Sequence, residues 1–189
     1  MIKREMYLKK IRDSYDSELI KVIIGVRRSG KSVLMKQIID ELKEKGIKDN
    51  HIIYINFEDY DYIDYTEPKK FNEYVKSKIK DESKYYLFFD EIQNVNDFER
   101  VINSFRATMN VSIFITGSNS KLLSSELATH LSGRYISLKI MPFTFKEYLQ
   151  LKKEKNEEID IDESFMEFLD WGCMPQIFNT NSLEERKLY

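Results

Sequence analysis

The sequence predicts an α/β fold, a parallel sheet covered on both faces by helices. Two observations carry this. Short apolar runs rich in β-branched and aromatic residues alternate with stretches whose apolar residues recur at three-and-four spacing. The short runs are nearly continuous in their hydrophobicity, as strands buried on both faces are. That alternation implies βαβ units with right-handed crossovers.

The first run, Leu19 to Gly25, is a buried strand that ends in glycine and opens directly into a loop. From Lys31 the period changes. Leu34, Met35, Ile38, Ile39 and Leu42 form one apolar face among charged residues, and Gly46 supplies a C-terminal stop. Four more strands follow at His51–Asn56, Tyr85–Asp90, Val111–Thr116 and Tyr135–Ile140, most of them separated by helical segments. After Pro142 the strand pattern stops, leaving Phe145, Tyr148, Leu149 and Leu151 in one helical segment and Phe165, Phe168, Leu169 and Trp171 in the next. The expected organisation is therefore a core over residues 1–142 and a short helical extension or lid over 143–189. The last segment, Asn181 to Tyr189, ends on a charged run without a cap, so further chain is expected beyond it.

At 189 residues and 42% hydrophobic, the chain suits one core domain of ordinary size. Thirty Lys+Arg against 32 Asp+Glu leave a formal charge of -2, so no global basicity asks for nucleic acid. The single Cys173 cannot form an internal disulfide, which suits a reducing compartment and a cytoplasmic location. No stretch approaches a membrane span of about 18 apolar residues, and Met1 to Lys10 lacks the apolar core of a signal peptide. The basic residues Lys3, Arg4, Lys9, Lys10 and Arg12 read as a solvated helix face, with a DNA-facing patch as the alternative.

The residues with chemistry begin at Gly25-Val26-Arg27-Arg28-Ser29-Gly30-Lys31-Ser32, which matches the P-loop pattern between a strand and a helix, the context that pattern requires. Its glycines let successive N–H groups curl inward, and the helix N-terminus adds its positive end, so together they hold phosphate. Lys31 is expected to reach the β- and γ-phosphates, Val33 to continue the contact, and Ser32 to offer a hydroxyl to Mg2+. Arg27 and Arg28 either touch the γ-phosphate or face solvent. Asp90-Glu91 ends the third strand, where ligand sites of parallel sheets form. There Asp90 suits the metal-bound waters and Glu91 suits the general base that polarises an attacking water.

Together with Phe88-Phe89-Asp90-Glu91-Ile92-Gln93, Ile115-Thr116-Gly117-Ser118-Asn119-Ser120 and Ser132-Gly133-Arg134-Tyr135, the P-loop resembles the AAA+ superfamily. More narrowly it resembles prokaryotic ATPases whose N-terminal AAA+ domain precedes a C-terminal domain of unknown function. The resemblance covers roughly residues 4–175. It implies a P-loop NTPase sheet in the order 5-1-4-3-2, which periodicity alone does not yield. It further implies Ser118 or Asn119 as the sensor of the γ-phosphate, with helix capping as the bland alternative. Arg134 is implied as a finger reaching a neighbouring subunit's nucleotide, or else a surface ion pair, and Asn56 as the polar residue restraining Glu91. Trp171-Gly172-Cys173-Met174-Pro175 is similar to the family's glycine-proline turn and offers no basic residue for a lid arginine.

The expectation is an Mg2+-dependent ATPase, homo-oligomeric where Arg134 serves a neighbouring subunit, that remodels or regulates an unknown protein or DNA partner. The alternative is a nucleotide-binding switch or DNA-associated regulator with little turnover. A kinase is disfavoured by the Lys-, Glu- and aromatic-rich region after Pro142, and GTP by the lack of an Asn/Thr-Lys-x-Asp string. The acid-aromatic stretch Phe57 to Tyr65 is expected as an exposed loop with half-buried rings, and His51 and His130 lack ligand spacing for a metal.

Overall fold

The computed structural model describes residues 2–118, 131 and 133–179. Five strands, β1 (Ile20–Gly25), β2 (Ile52–Asn56), β3 (Tyr85–Asp90), β4 (Val111–Ser118) and β5 (Tyr135–Ile140), form one sheet in the order β2-β3-β4-β1-β5. Every neighbouring pair is parallel. This is the implied order, read from the other edge.

Position in the sheet explains the composition of each strand. The interior β1 and β3 are buried along their whole length, while the edge strand β2 alternates buried and half-buried positions and β5 is buried only at Ile140. Because side chains alternate across a strand, Val22, Ile24, Leu87, Phe89, Ile113 and Ile115 pack on one face, beneath α3 (Pro68–Lys78) and α4 (Phe98–Thr108). Ile23, Phe88, Phe114 and Ile140 pack on the other, beneath α1 (Glu5–Ile11) and α2 (Lys31–Glu44). There Phe88 and Phe114 stack across adjacent strands with ring centres 4.5 Å apart.

Lys21 is an exception within that second face. It is fully buried on β1, where its Nζ donates to Ser17 O at 2.6 Å and Ser112 Oγ at 2.7 Å. Burial, reinforced by the charge of Lys84 and opposed by Asp16, pushes its ammonium down to about 7.

The acid-aromatic stretch forms a 3-10 helix over Tyr60–Thr66 rather than an open loop. The side chain of Asp59 caps it, and Tyr62 and Tyr65 rest against Tyr74 of α3. A local hydrogen bond from an Asp side chain to the backbone two residues on favours this turn geometry.

Two further helices follow the sheet, α5 (Phe145–Glu154) and α6 (Ile161–Trp171). Thr144 and Glu147 form a reciprocal capping box that starts α5, and Asp160 caps α6. They pack around a separate small core of Ile2, Tyr148, Leu151 and Phe178. The outer face of α6 leaves Ile161, Phe165, Met166 and Leu169 exposed.

The expectation of a solvated basic face holds for Lys3, Lys9 and Lys10, which are exposed, and fails for Arg4. Arg4 is 2% exposed. Its guanidinium donates to Ser29 O and Met141 O, both at 2.9 Å, and to both oxygens of Glu147, while stacking over Tyr7 at 4.5 Å. Lys3 and Arg12 are paired as well, both with Glu41, whose carboxyl the Arg12 guanidinium holds down to about 2. A charge-rich N-terminus looks solvated in one dimension. In three, its acidic partners lie 7 to 143 residues away.

Candidate functional site

The loop between β1 and α2 is shaped by two glycines. A Cβ on Gly25 would lie 2.6 Å from Ile140 O and 2.7 Å from Ser29 Oγ, so only glycine fits where β5 crosses the loop. Gly30 takes a left-handed φ of +96° and caps α2 without a side-chain bond, which leaves the first-turn N–H groups of α2 to a ligand. Arg28 also lies in the left-handed region, with φ of +66°. Ser29 is buried, and its Oγ has no partner among the described residues.

Beside this loop lies an open cleft of about 360 Å3. Arg27, Arg28, Gly30, Lys31, Ser32 and Val33 line one side, and Glu58, Glu91, Pro175 and Gln176 the other. Lys31 is 4% exposed, and its Nζ lies 3.4 Å from Glu91 Oε1 and 3.5 Å from Val26 O. Arg27 reaches the Glu58 carboxylate at 3.6 Å.

The two acids at the end of β3 are held differently. Asp90 is 1% exposed and accepts from hydroxyls on both flanking strands. Tyr54 on β2 donates to its Oδ2 at 2.9 Å, and Thr116 on β4 donates to its Oδ1. Burial, then the Asp90 charge, push the Tyr54 phenol up, so its hydroxyl stays protonated as a donor. Glu91 has a left-handed backbone, φ +53° and ψ +47°, a conformation that costs a non-glycine residue about 1–3 kcal/mol and clusters at functional sites. Its N–H donates to Thr116 Oγ1 at 3.0 Å, and its Oε2 accepts from Gln93 Nε2 at 2.5 Å.

The P-loop residues and Asp90-Glu91 thus come together at the C-terminal ends of β1 and β3. The remaining expected residues divide between the two ends of the sheet. Asn56 stands opposite Asp90 in register, but its side-chain Oδ1 accepts from the Glu58 N–H at 3.1 Å, while Gln93 is the residue that holds Glu91. Arg134 is exposed just before β5, next to the start of β1, where its carbonyl accepts from Ile20 N. The six residues of β5 put it about 20 Å from the loop of its own chain, at about 3.3 Å per residue. Ser118 ends β4 opposite Gly25, whereas Asn119 and His130 lie outside the described residues. His51 stacks on Tyr85 at 4.8 Å. Tyr54, Thr116 and Gln93 escaped the sequence reading. The signal for Tyr54 was strand alternation, which puts it on the same face as residue 56.

The site fits a magnesium nucleoside triphosphate. Its loop is one that a Cβ would fill, its helix N-terminus is uncapped by side chains, and Lys31 faces Glu91. Ser32, which lines the cleft, and Asp90 carry oxygens of the hard type that Mg2+ takes and would hold it directly or through water. No helix among the described residues is long and apolar enough to cross a membrane.

Comparison with known proteins agrees with this geometry. A family profile described as AAA domain matches residues 17–149. An uncharacterized protein of Haemophilus influenzae is 42% identical over 178 residues, covering 94% of this chain and 44% of that protein. One of Methanocaldococcus jannaschii is 38% identical over 184 residues, covering 94% and 39%. The chain therefore spans less than half the length of these relatives. Among solved structures, the Orc1 protein of Aeropyrum pernix in complex with DNA superposes with a TM-score of 0.57 at 12% identity, covering 82% of this chain and 50% of that one. A DNA replication initiation factor gives 0.53 at 19% identity, covering 97% and 57%. Those two likenesses concern the fold alone. With the family profile spanning most of the sheet and the phosphate loop, the chain belongs to the AAA domain family, a nucleotide-binding ATPase family with the AAA+ P-loop fold.

Proposed function

We propose that this chain binds ATP with Mg2+ and hydrolyses it. The carrying observation is the 3.4 Å approach of Lys31 Nζ to Glu91 Oε1, which supports a phosphate-binding lysine and a general base sharing one cleft. In this reading Glu91 takes a proton from water as the water oxygen attacks the γ-phosphorus. The bond from the γ-phosphorus to the β–γ bridging oxygen breaks, and ADP leaves with that electron pair. Lys31 and the N–H groups of the loop hold the phosphate charge, and Gln93 keeps the Glu91 carboxylate in place. Bound Mg2+ would neutralise charge shared by the β- and γ-phosphates, held by the Ser32 hydroxyl and, through water, by Asp90.

Arg134 belongs to this reading only in trans, because its own cleft lies at the opposite end of the sheet. That position favours a second reading, a nucleotide switch whose isolated subunit turns over slowly until a neighbour or partner docks. DNA enters as a candidate partner through the fold shared with the Orc1 protein. The sensor, Ser118 or Asn119, stays part of the proposal.

The test is ATP hydrolysis per subunit, measured against protein concentration, with and without DNA, with Glu91→Gln as control. The ATPase reading expects Glu91→Gln to retain nucleotide binding and lose turnover by roughly 10²–10⁴-fold, the usual worth of a general base. Undiminished hydrolysis in that variant would overturn the assignment.

A further inference from the structure

Resting on the nucleotide-binding reading above, we infer that the Tyr54 hydroxyl sets the metal-ion preference of the site by keeping Asp90 a partner of metal-bound water rather than a direct ligand. The inference stands on a hydrogen-bonded row that crosses three strands, from Tyr54 on β2 through Asp90 on β3 to Thr116 on β4. In register Tyr54 faces Phe88 and Asn56 faces Asp90. The tyrosine ring therefore runs along its strand by two residues, about 7 Å, to reach the carboxylate. A shorter hydroxyl at position 54 would fall short of it.

A carboxylate has two oxygens with two lone pairs each. Here Oδ2 accepts from Tyr54 and Oδ1 from Thr116, so neither oxygen turns freely and each keeps one lone pair for another donor. Thr116 is itself fixed, since its oxygen also accepts from the Glu91 N–H. A carboxylate braced on both sides suits hydrogen bonds to waters around an ion and resists swinging in to bind the ion directly. Mg2+ keeps its waters and demands an octahedral shell, whereas Ca2+ sheds water readily and accepts carboxylates in a looser shell. The brace therefore favours Mg2+ over Ca2+. Tyr54 acts here as a positioning residue, at one remove from the ion.

The test is a titration of Mg2+ and of Ca2+ against binding of a fluorescent ATP analogue, for the wild type, Tyr54→Phe and Thr116→Val. Tyr54→Phe keeps the ring and removes only the donor. Partners that orient a metal's ligands are worth roughly 10–100-fold in metal affinity. The expected result is an Mg2+ midpoint about tenfold weaker, a Ca2+ midpoint unchanged or tighter, and unchanged nucleotide affinity in excess chelator. Thr116→Val, which releases the other oxygen, should shift the Mg2+ to Ca2+ ratio in the same direction. A purely structural defect would weaken both ions and the metal-free affinity together, and that outcome overturns the inference. An unchanged ratio in both variants overturns it as well, while leaving the nucleotide-binding reading intact. A wild type that binds no nucleotide with either ion defeats both.

Discussion

The Arg4 guanidinium meets the Glu147 carboxylate at 2.8 and 3.1 Å, joining the first residues of the chain to the first turn of α5 across 143 positions of sequence. The same guanidinium donates to the carbonyls of Ser29 in the phosphate loop and Met141 at the end of the sheet. One side chain thus fixes the loop, the exit from β5 and the helical extension relative to one another.

Breaking that node leaves a half-buried carboxylate and the Ser29 and Met141 carbonyls short of a donor. Arg4→Ala is expected to cost about 3–5 kcal/mol, the usual penalty for removing one partner of a buried pair. For a chain of this size that is a drop of roughly 10 °C in Tm, read by thermal denaturation. Arg4→Lys should recover only part of it, since an ammonium cannot reproduce the five-donor fork. The pair also predicts an acid limb. Burial alone would push Glu147 up, but the Arg4 guanidinium and the Thr144 N–H outweigh it and hold the carboxyl below its usual 4.5. Its stabilisation is therefore complete above pH 4.5 and fades as the pH falls through the lower folded value. Arg4→Ala should lose that component.

Lys21 predicts a slope of the same sign in the alkaline range. Its folded ammonium titrates near 7 instead of 10.5, so between those values the unfolded chain holds more protons. Stability should then rise with pH from about 7 to 10, by a few kcal/mol at about 1.4 kcal/mol per unit. Denaturant midpoints across that range check it. Lys21→Met should flatten the curve, and a parallel slope in the variant would refute the attribution.

Gly25→Ala places a methyl group against the Ile140 carbonyl and Ser29 Oγ. Because one obstacle is backbone, the loop or β5 must shift, at about 1–3 kcal/mol. A lower Tm and at least tenfold weaker nucleotide binding by calorimetry are expected. Wild-type affinity would show that the loop tolerates the shift.

Arg134→Ala should leave nucleotide affinity unchanged and reduce turnover by roughly 10³-fold where subunits associate. Mixing Arg134→Ala with Glu91→Gln subunits provides the sharper check. Each inactive variant holds what the other lacks, so the mixture regains activity if the arginine acts between subunits. No recovery at any ratio would rule that arrangement out.

How much of this was legible follows from the distance over which each feature is determined. β1, the phosphate loop and α2 were readable because Gly25, Gly30 and the Leu34–Leu42 face are local signals, settled within one strand-loop-helix unit. Asp90-Glu91 was readable because a strand ending in acids is also local. The insertion of β4 between β1 and β3 came only from resemblance, since strand order depends on crossovers that periodicity does not encode. Tyr54 and Thr116 were missed because their roles exist only after register aligns three strands, and Gln93 because its reach to Glu91 depends on the left-handed turn that Glu91 takes after β3. Arg4 was misplaced because its partners arrive from residues 29, 141 and 147.

The uncovered apolar face of α6 bears on every concentration-dependent measurement above. Ile161, Phe165, Met166 and Leu169 present oily surface to water, and such surface promotes indiscriminate clumping as protein concentration rises. Light scattering should therefore accompany each rate. A rise in turnover that persists after Phe165→Ser and Leu169→Ser reflects ordered contact between subunits, and one that disappears with them reflects stickiness.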